Sequence, residues 1–248
     1  MTLSKRSKII VGVGVIAAIV VVVPLSAFIV MNANSVHFQL LDIAGVKIEA
    51  FGMRIYVDPY NLPSNFRALP ADVILVTHPH VEHYDNATIE MLQKDGTVNV
   101  FPESMSEAIN LHAGIGVNPE DELEFGSVKI TAFYAYYPRE SGLWTHLPEW
   151  NWTSYIIDIN GLTFFLSGDS KNIPEYAQLT GMIDVACLCS SSLAPLELVD
   201  VLDVIRPSYY MLTDYEFEKA RFLEDYASSV THCTMINLEY YQSYAFPQ

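Results

Sequence analysis

The stretch Val73-Ile74-Leu75-Val76-Thr77-His78-Pro79-His80-Val81-Glu82-His83-Tyr84-Asp85 decides how the rest of the chain is read. Four consecutive apolar residues, two of them β-branched at the start, predict a buried strand over Val73–Val76. That strand delivers its C-terminal end into three imidazoles and a carboxylate within six residues. In extended backbone, residues two apart point to the same side, so His78 and His80 can share one ion. Glu82 and His83 follow where the chain turns toward a helix beginning near Asn86, and can face a second ion. Neutral imidazole and carboxylate form the ligand set of Zn²⁺ and its divalent neighbours. The competing reading is a polar loop whose histidines cap a helix or bond to water. That reading suits a lone histidine better than a cluster placed at a strand end.

Outward from this stretch, short strands and helices alternate. Strand-like runs are Val36–Leu41, Val46–Phe51, Arg54–Val57, Asn99–Phe101 and Val128–Phe133. They continue at Ser154–Ile159, Leu162–Leu166, Val185–Cys189 and Tyr209–Leu212. Helical spacing marks Ala87–Lys94, Ser104–His112, Pro195–Ile205 and Phe217–Ser228. No internal repeat and no low-complexity tract interrupts them, so one mixed α/β domain is expected over residues 35–248.

The first 34 residues read differently. Ile9 to Met31 is an unbroken apolar run preceded by Lys5, Arg6 and Lys8. As a helix it would span roughly 35 Å, enough to cross a bilayer. The expectation is one transmembrane helix within a 1–34 anchor segment, with the N-terminus cytoplasmic and the main domain outside. A cleaved signal peptide is the rival, but its apolar region should be about 7–15 residues.

Composition narrows the partners. The 248 residues carry 13 Lys+Arg against 29 Asp+Glu, for a formal net charge of −16. A nucleic-acid partner is not expected, because phosphate recognition needs a basic surface. The three cysteines, Cys187, Cys189 and Cys233, cannot build a disulfide framework, and the first two sit in an apolar run as small hydrophobes.

Thr77-His78-x-His80-x-Glu82-His83 resembles the Thr-His-x-His-x-Asp-His signature of the metallo-β-lactamase superfamily of metal-dependent hydrolases. Tyr56-Val57-Asp58-Pro59 and Ala71-Asp72 resemble the branch that contains ascorbate-6-phosphate lactonase-like proteins. His146 with Asn151-Trp152-Thr153-Ser154-Tyr155, and Gly161 through Gly168-Asp169-Ser170, are similar to later segments of that branch. Arg206-Pro207 and the strand to Asp214 continue the likeness, which covers about residues 36–215. The resemblance implies an αββα sandwich with a metal site along one edge. It makes His78, His80 and His146 ligands of a first metal, and Glu82 and His83 ligands of a second. Asp169 would bridge the two ions, and Asp214 stands where the family has its last histidine.

Two departures bear on the second site. Glu82 replaces Asp, and Asp214 replaces His, making the site harder and more negative. One or two divalent ions are implied, Zn²⁺ first, with Mn²⁺ or Fe²⁺ as alternatives. The implied activity is hydrolysis by a metal-activated hydroxide, of the lactonase, esterase or phosphodiesterase type, with Asp169 and Glu82 as the catalytic carboxylates. The competing function is a non-catalytic domain that binds a ligand or partner after its second site decayed. Asp169 and Asp214 also have an ordinary alternative as helix N-caps. A small-molecule or lipid-derived substrate is expected, with Tyr134, Tyr136, Tyr137, Trp144 and Trp150 as a possible aromatic wall around Arg139.

Overall fold

The computed structural model describes residues 8–10, 35–138, 146–213 and 232–247. In the first half the strands are β1 Lys8–Ile10, β2 Ser35–Leu40, β3 Val46–Ala50, β4 Met53–Val57, β5 Val73–Leu75, β6 Val98–Pro102, β7 Ile115–Val117 and β8 Glu122–Phe125. They continue as β9 Val128–Tyr134, β10 Thr153–Ile159, β11 Leu162–Leu166, β12 Val185–Cys189, β13 Tyr209–Thr213, β14 Thr234–Met235 and β15 Ser243–Pro247. The α-helices among the described residues are α1 Asn86–Leu92, α2 Ser106–Leu111 and α3 Pro195–Ile205.

These strands form two mixed sheets. One runs β1-β8-β9-β10-β11-β12-β13-β14 and the other β15-β2-β3-β4-β5-β6-β7. Alternation along each strand explains why they stack. Ile55 and Val57 of β4 and Val73 and Leu75 of β5 face the space between the sheets, where they join Ile130, Tyr155, Ile157 and Phe164. Tyr56 and Ile74 point the other way, onto Ile89 and Leu92 of α1 and Ala108 of α2. In the partner sheet Val185 and Cys187 face inward, while Ala186 and Leu188 meet Leu198, Val201, Leu202 and Ile205 of α3. A strand buried on both faces needs an unbroken apolar run, which is why β5 and β12 read as they do. Each fully buried Ile, Leu or Phe contributes about 1.5–3 kcal/mol of transfer free energy to this arrangement. The result is an α/β sandwich of two mixed sheets flanked by helices.

The helix ends follow the local sequence. Asp85 caps α1 by accepting from Ala87 N at 3.0 Å and from the Thr88 hydroxyl at 2.6 Å. α3 starts on Pro195, and the Glu197 carboxylate accepts from Ala194 N at 2.9 Å.

The expected N-terminal transmembrane helix is corrected. Among the described residues no helix is long and apolar enough to cross a membrane. Ile9 and Ile10, the first residues of the predicted span, are strand: β1 pairs parallel with β8 in the register Lys8↔Glu122, Ile9↔Leu123, Ile10↔Glu124. β-branched residues suit that edge pairing as well as they suit a helix, and an apolar run alone does not tell the two apart. The single-pass membrane location, with a cytoplasmic N-terminus, rested on that helix and is withdrawn with it. Residues 11–34 of the run lie outside the described residues, as does the predicted helix Phe217–Ser228.

Candidate metal centre

β5 ends at Leu75, and the chain then crosses the sheet edge as Val76-Thr77-His78. Two bonds from the other sheet fix this exit. Thr153 N donates to Thr77 O at 3.1 Å, and the Tyr155 hydroxyl donates to Val76 O at 2.8 Å. The loop after β11 approaches from the same side. Gly168 holds φ +50°, and a β-carbon there would lie 3.0 Å from Thr77 Cβ and Oγ1. Only a residue without a side chain lets the two loops close this far, and that closure brings Asp169 to the histidines.

His78, His80, His146 and Asp169 place one donor atom each within 4.8 Å of one another, and Glu82, His83 and Asp169 do the same. Asp169 belongs to both groups. His83 Nε2 lies 3.1 Å from Asp169 Oδ1, and the Nε2 atoms of His78 and His146 lie 3.6 Å and 3.8 Å from Oδ2. His78, His83, His146 and Asp169 are buried, while His80 and Glu82 are partly open to solvent. Asp214, the last expected ligand, lies outside the described residues.

A hydrogen-bond network beneath the histidines sets which nitrogen faces the site. Asp58, just after β4, accepts from Thr77 N at 2.7 Å, from the Thr77 hydroxyl at 2.7 Å and from His83 Nδ1 at 2.8 Å. The single proton of Thr77 Oγ1 is thereby committed to Asp58. At His78 Nδ1, 2.9 Å away, the hydroxyl therefore accepts. Both His78 and His83 carry their proton on Nδ1, and each turns Nε2 toward Asp169. This is the orientation that outer partners impose on metal-binding imidazoles.

Electrostatics separate the rings: His78 and His146 are held neutral, while His83 favours the charged form. Burial, helped by the positive field of His83, holds His78 well below its ordinary pKa. Burial also pulls His146 down to about 4. Both rings are therefore neutral, the form that ligates. Burial opposes the charged form of His83 as well, but Asp58 and Asp169 outweigh it and hold the ring well above its ordinary value. Burial works to raise Asp169, yet the closely approaching His78 and His83 rings keep it well below the usual carboxylate range.

The residues fit a divalent cation. His83 Nε2 is fully buried and makes no hydrogen bond, although Asp169 Oδ1 stands 3.1 Å away off hydrogen-bonding geometry. His78 Nε2 and His80 Nδ1 are hydrogen-bonded at 3.0 Å, so the two rings share a proton where a cation would sit. Nitrogen lone pairs crowded around an ionised carboxylate are costly without a proton or a cation among them. Three imidazoles with one carboxylate suit Zn²⁺; the Glu82, His83 and Asp169 group is harder and suits Mn²⁺ or Fe²⁺ as well.

Some participants had no role in the sequence reading. Asp58, Thr77 and Gly168 stood in it only as parts of motifs, with nothing to show that they orient or admit the ligands. Cys189 was read as a small buried hydrophobe, and it is buried, but its thiol donates to Asp169 Oδ1 at 3.2 Å. No spacing rule would have found that contact, since it joins the ends of two neighbouring strands. The expected aromatic wall is divided. Tyr137 stacks on His146 at 4.3 Å, and Trp152, which the wall omitted, packs over His78 at 5.1 Å and edge-on to His146 at 4.8 Å. Tyr134 and Tyr136 bond Glu120 and Glu175, and Arg139 and Trp144 lie outside the described residues.

Comparison with known proteins gives the same picture. The family model for the β-lactamase superfamily domain matches residues 37–209. A UPF0173 protein of Pyrococcus furiosus is 27% identical over 167 residues, covering 64% of this chain and 74% of its own length. A UPF0173 metal-dependent hydrolase of Anoxybacillus flavithermus is 27% identical over 159 residues, covering 58% of this chain and 68% of its own. Among solved structures, the metallo hydrolase Igni18 of Ignicoccus hospitalis superposes with a TM-score of 0.73. It covers 86% of this chain and 99% of its own at 15% identity, which is a likeness of fold. With the family model reaching into both sheets and covering every described candidate ligand, the chain belongs to the metallo-β-lactamase superfamily.

Proposed function

We propose that this chain is a metal-dependent hydrolase of small molecules, of the lactonase, esterase or phosphodiesterase type. The observation that carries the reading is the sharing of Asp169 between two donor groups whose atoms each lie within 4.8 Å of one another. His78, His80 and His146 would hold the first ion with neutral imidazoles, and Asp169 would bridge to a second held by Glu82 and His83. Asp214, outside the described residues, is the proposed last ligand of that second site. Zn²⁺ is the first choice of metal, with Mn²⁺ or Fe²⁺ as alternatives. When bound, a divalent ion lowers the pKa of water toward neutrality and polarises a carbonyl or phosphoryl oxygen.

The protein's own contribution is positional. Asp58 and Thr77 keep a proton on Nδ1 of His78 and His83, so Nε2 is the atom each ring turns toward Asp169, and a bound cation would take the place of the second proton that the carboxylates favour on His83. Cys189 donates to Asp169 Oδ1 and limits its rotation. Glu82, partly exposed, would orient an attacking water by hydrogen bonding. A non-catalytic domain with a decayed second site draws less support, because Glu82 stands with His83 and Asp169 despite its extra methylene.

The test is metal content by inductively coupled plasma mass spectrometry on the purified full chain, with ester hydrolysis followed in parallel. Two ions per chain are expected. One ion would remove Glu82 and Asp214 from the ligand set. No ion after reconstitution with Zn²⁺, Mn²⁺ and Fe²⁺ would end the hydrolase reading.

A further inference from the structure

Beside the candidate metal centre lies a cavity of about 540 Å³. Its wall adjoins the described ligands without including one: it holds Pro79, between His78 and His80, and Trp152, whose ring packs on His78 at 5.1 Å. Trp150 extends the aromatic surface, 4.6 Å from Trp152. Met105 and Leu111 from the α2 region supply aliphatic surface. Trp150 is 37% exposed and Leu111 59% exposed, so apolar surface next to the centre is left to water. The ligand turn adds Val81, 67% exposed between His80 and Glu82.

Charge completes the description. Among the described lining residues the one charged side chain is Glu107, a carboxylate. It stands on a chain whose formal net charge is −16. A cavity of this size takes a molecule of one or two rings, and its aromatic faces favour an apolar body. An anionic body would meet Glu107, with no cation among the described lining residues to offset it.

Resting on the hydrolase reading above, we propose that this cavity binds the uncharged, apolar or aromatic body of a carboxylic ester or lactone and selects against anionic substrates, phosphodiesters included. The acyl C–O bond breaks, water adds its hydroxyl to the carbonyl carbon, and its proton goes to the alcohol oxygen. The cavity thus chooses among the hydrolase types that the metal ligands alone leave equal.

The experiment compares phenyl acetate with para-carboxyphenyl acetate on the Zn²⁺-loaded full chain, which changes one charge and keeps the ester. The neutral ester should be preferred by about tenfold in kcat/KM, the scale of one unfavourable charge contact. Glu107→Gln should narrow that preference, and Trp150→Ala should raise KM for phenyl acetate about fivefold with kcat little changed. Circular dichroism checks that both variants fold. Equal or better turnover of the carboxylated ester, or a preference untouched by Glu107→Gln, overturns the inference while the hydrolase reading stands. If neither ester is turned over, the hydrolase reading fails instead, and calorimetry with phenylpropanamide and phenylpropanoate judges the cavity alone. Tighter binding of the amide, with the difference lost in Glu107→Gln, sustains the cavity's selectivity; indifference between the two sinks it.

Discussion

Asp58 is a buried carboxylate that stands behind the proposed ligands, yet the orientation of two of them depends on it. Thr77 N, the Thr77 hydroxyl and His83 Nδ1 all donate to it. Asn in its place keeps the shape but offers one acceptor oxygen and turns an amide donor toward a group that also donates. His83 then loses the acceptor that keeps its proton on Nδ1, and a proton on Nε2 would point into the site. Asp58→Asn should weaken Zn²⁺ binding by about 10–100-fold, the usual effect of losing such a partner. Competition against a chromophoric chelator measures this, and affinity equal to the parent chain would refute the role. The histidine cluster itself was visible because four of its members fall between His78 and His83. Asp58 was not, because its function exists only once β4 and β5 lie side by side in the register Ile55↔Val73 to Val57↔Leu75.

At the scale of elements, the exit of β5 is held to the opposite sheet by β10. Tyr155 is fully buried between the sheets, and burial pushes its phenol up, so it remains a donor to Val76 O. Tyr155→Phe removes that hydroxyl without opening a cavity. The loss should be about 1 kcal/mol, the net worth of one such bond, and for a domain of this size about 2–4 °C in Tm. A calorimetric melt decides; a variant as stable as the parent would mean that Thr153 alone holds the exit. The central strands were legible because their alternation is plain. Leu162–Leu166 and Val185–Cys189 were read with the observed limits, as was α3, where Leu198, Val201, Leu202 and Ile205 keep helical spacing. The edges were not. β8 reads Glu-Leu-Glu-Phe, and β15 buries only Phe246 of its five residues. Such strands are specified by the neighbour they pair with, β9 and β2, more than by their own pattern.

For the whole molecule, the decisive fact is that the candidate centre draws on both sheets. His78, His80, Glu82 and His83 follow β5 of one sheet, while His146 and Asp169 follow β9 and β11 of the other. No local pattern could have joined these segments, and only the resemblance to a known family placed His146 and Asp169 beside the cluster. The same distance between local pattern and global context explains the N-terminal correction: Ile9 and Ile10 are strand residues because β8 offers them an edge. A centre built across two sheets also predicts how the protein responds to metal removal. An ion bound there favours only the folded state, since the unfolded chain scatters its ligands over some 90 residues. At a free metal concentration of about 100 times Kd the gain is about 2.7 kcal/mol. That corresponds to roughly 5–10 °C in Tm for a chain of this length. Scanning fluorimetry of the loaded protein, then with chelator, then with Zn²⁺ restored, should show the fall and its recovery. His146→Ala, which removes one contributor from the second sheet, should shrink the shift. If the loaded protein melted at one temperature throughout, its ions would not be held between the sheets, and the shared centre on Asp169 would have to be abandoned.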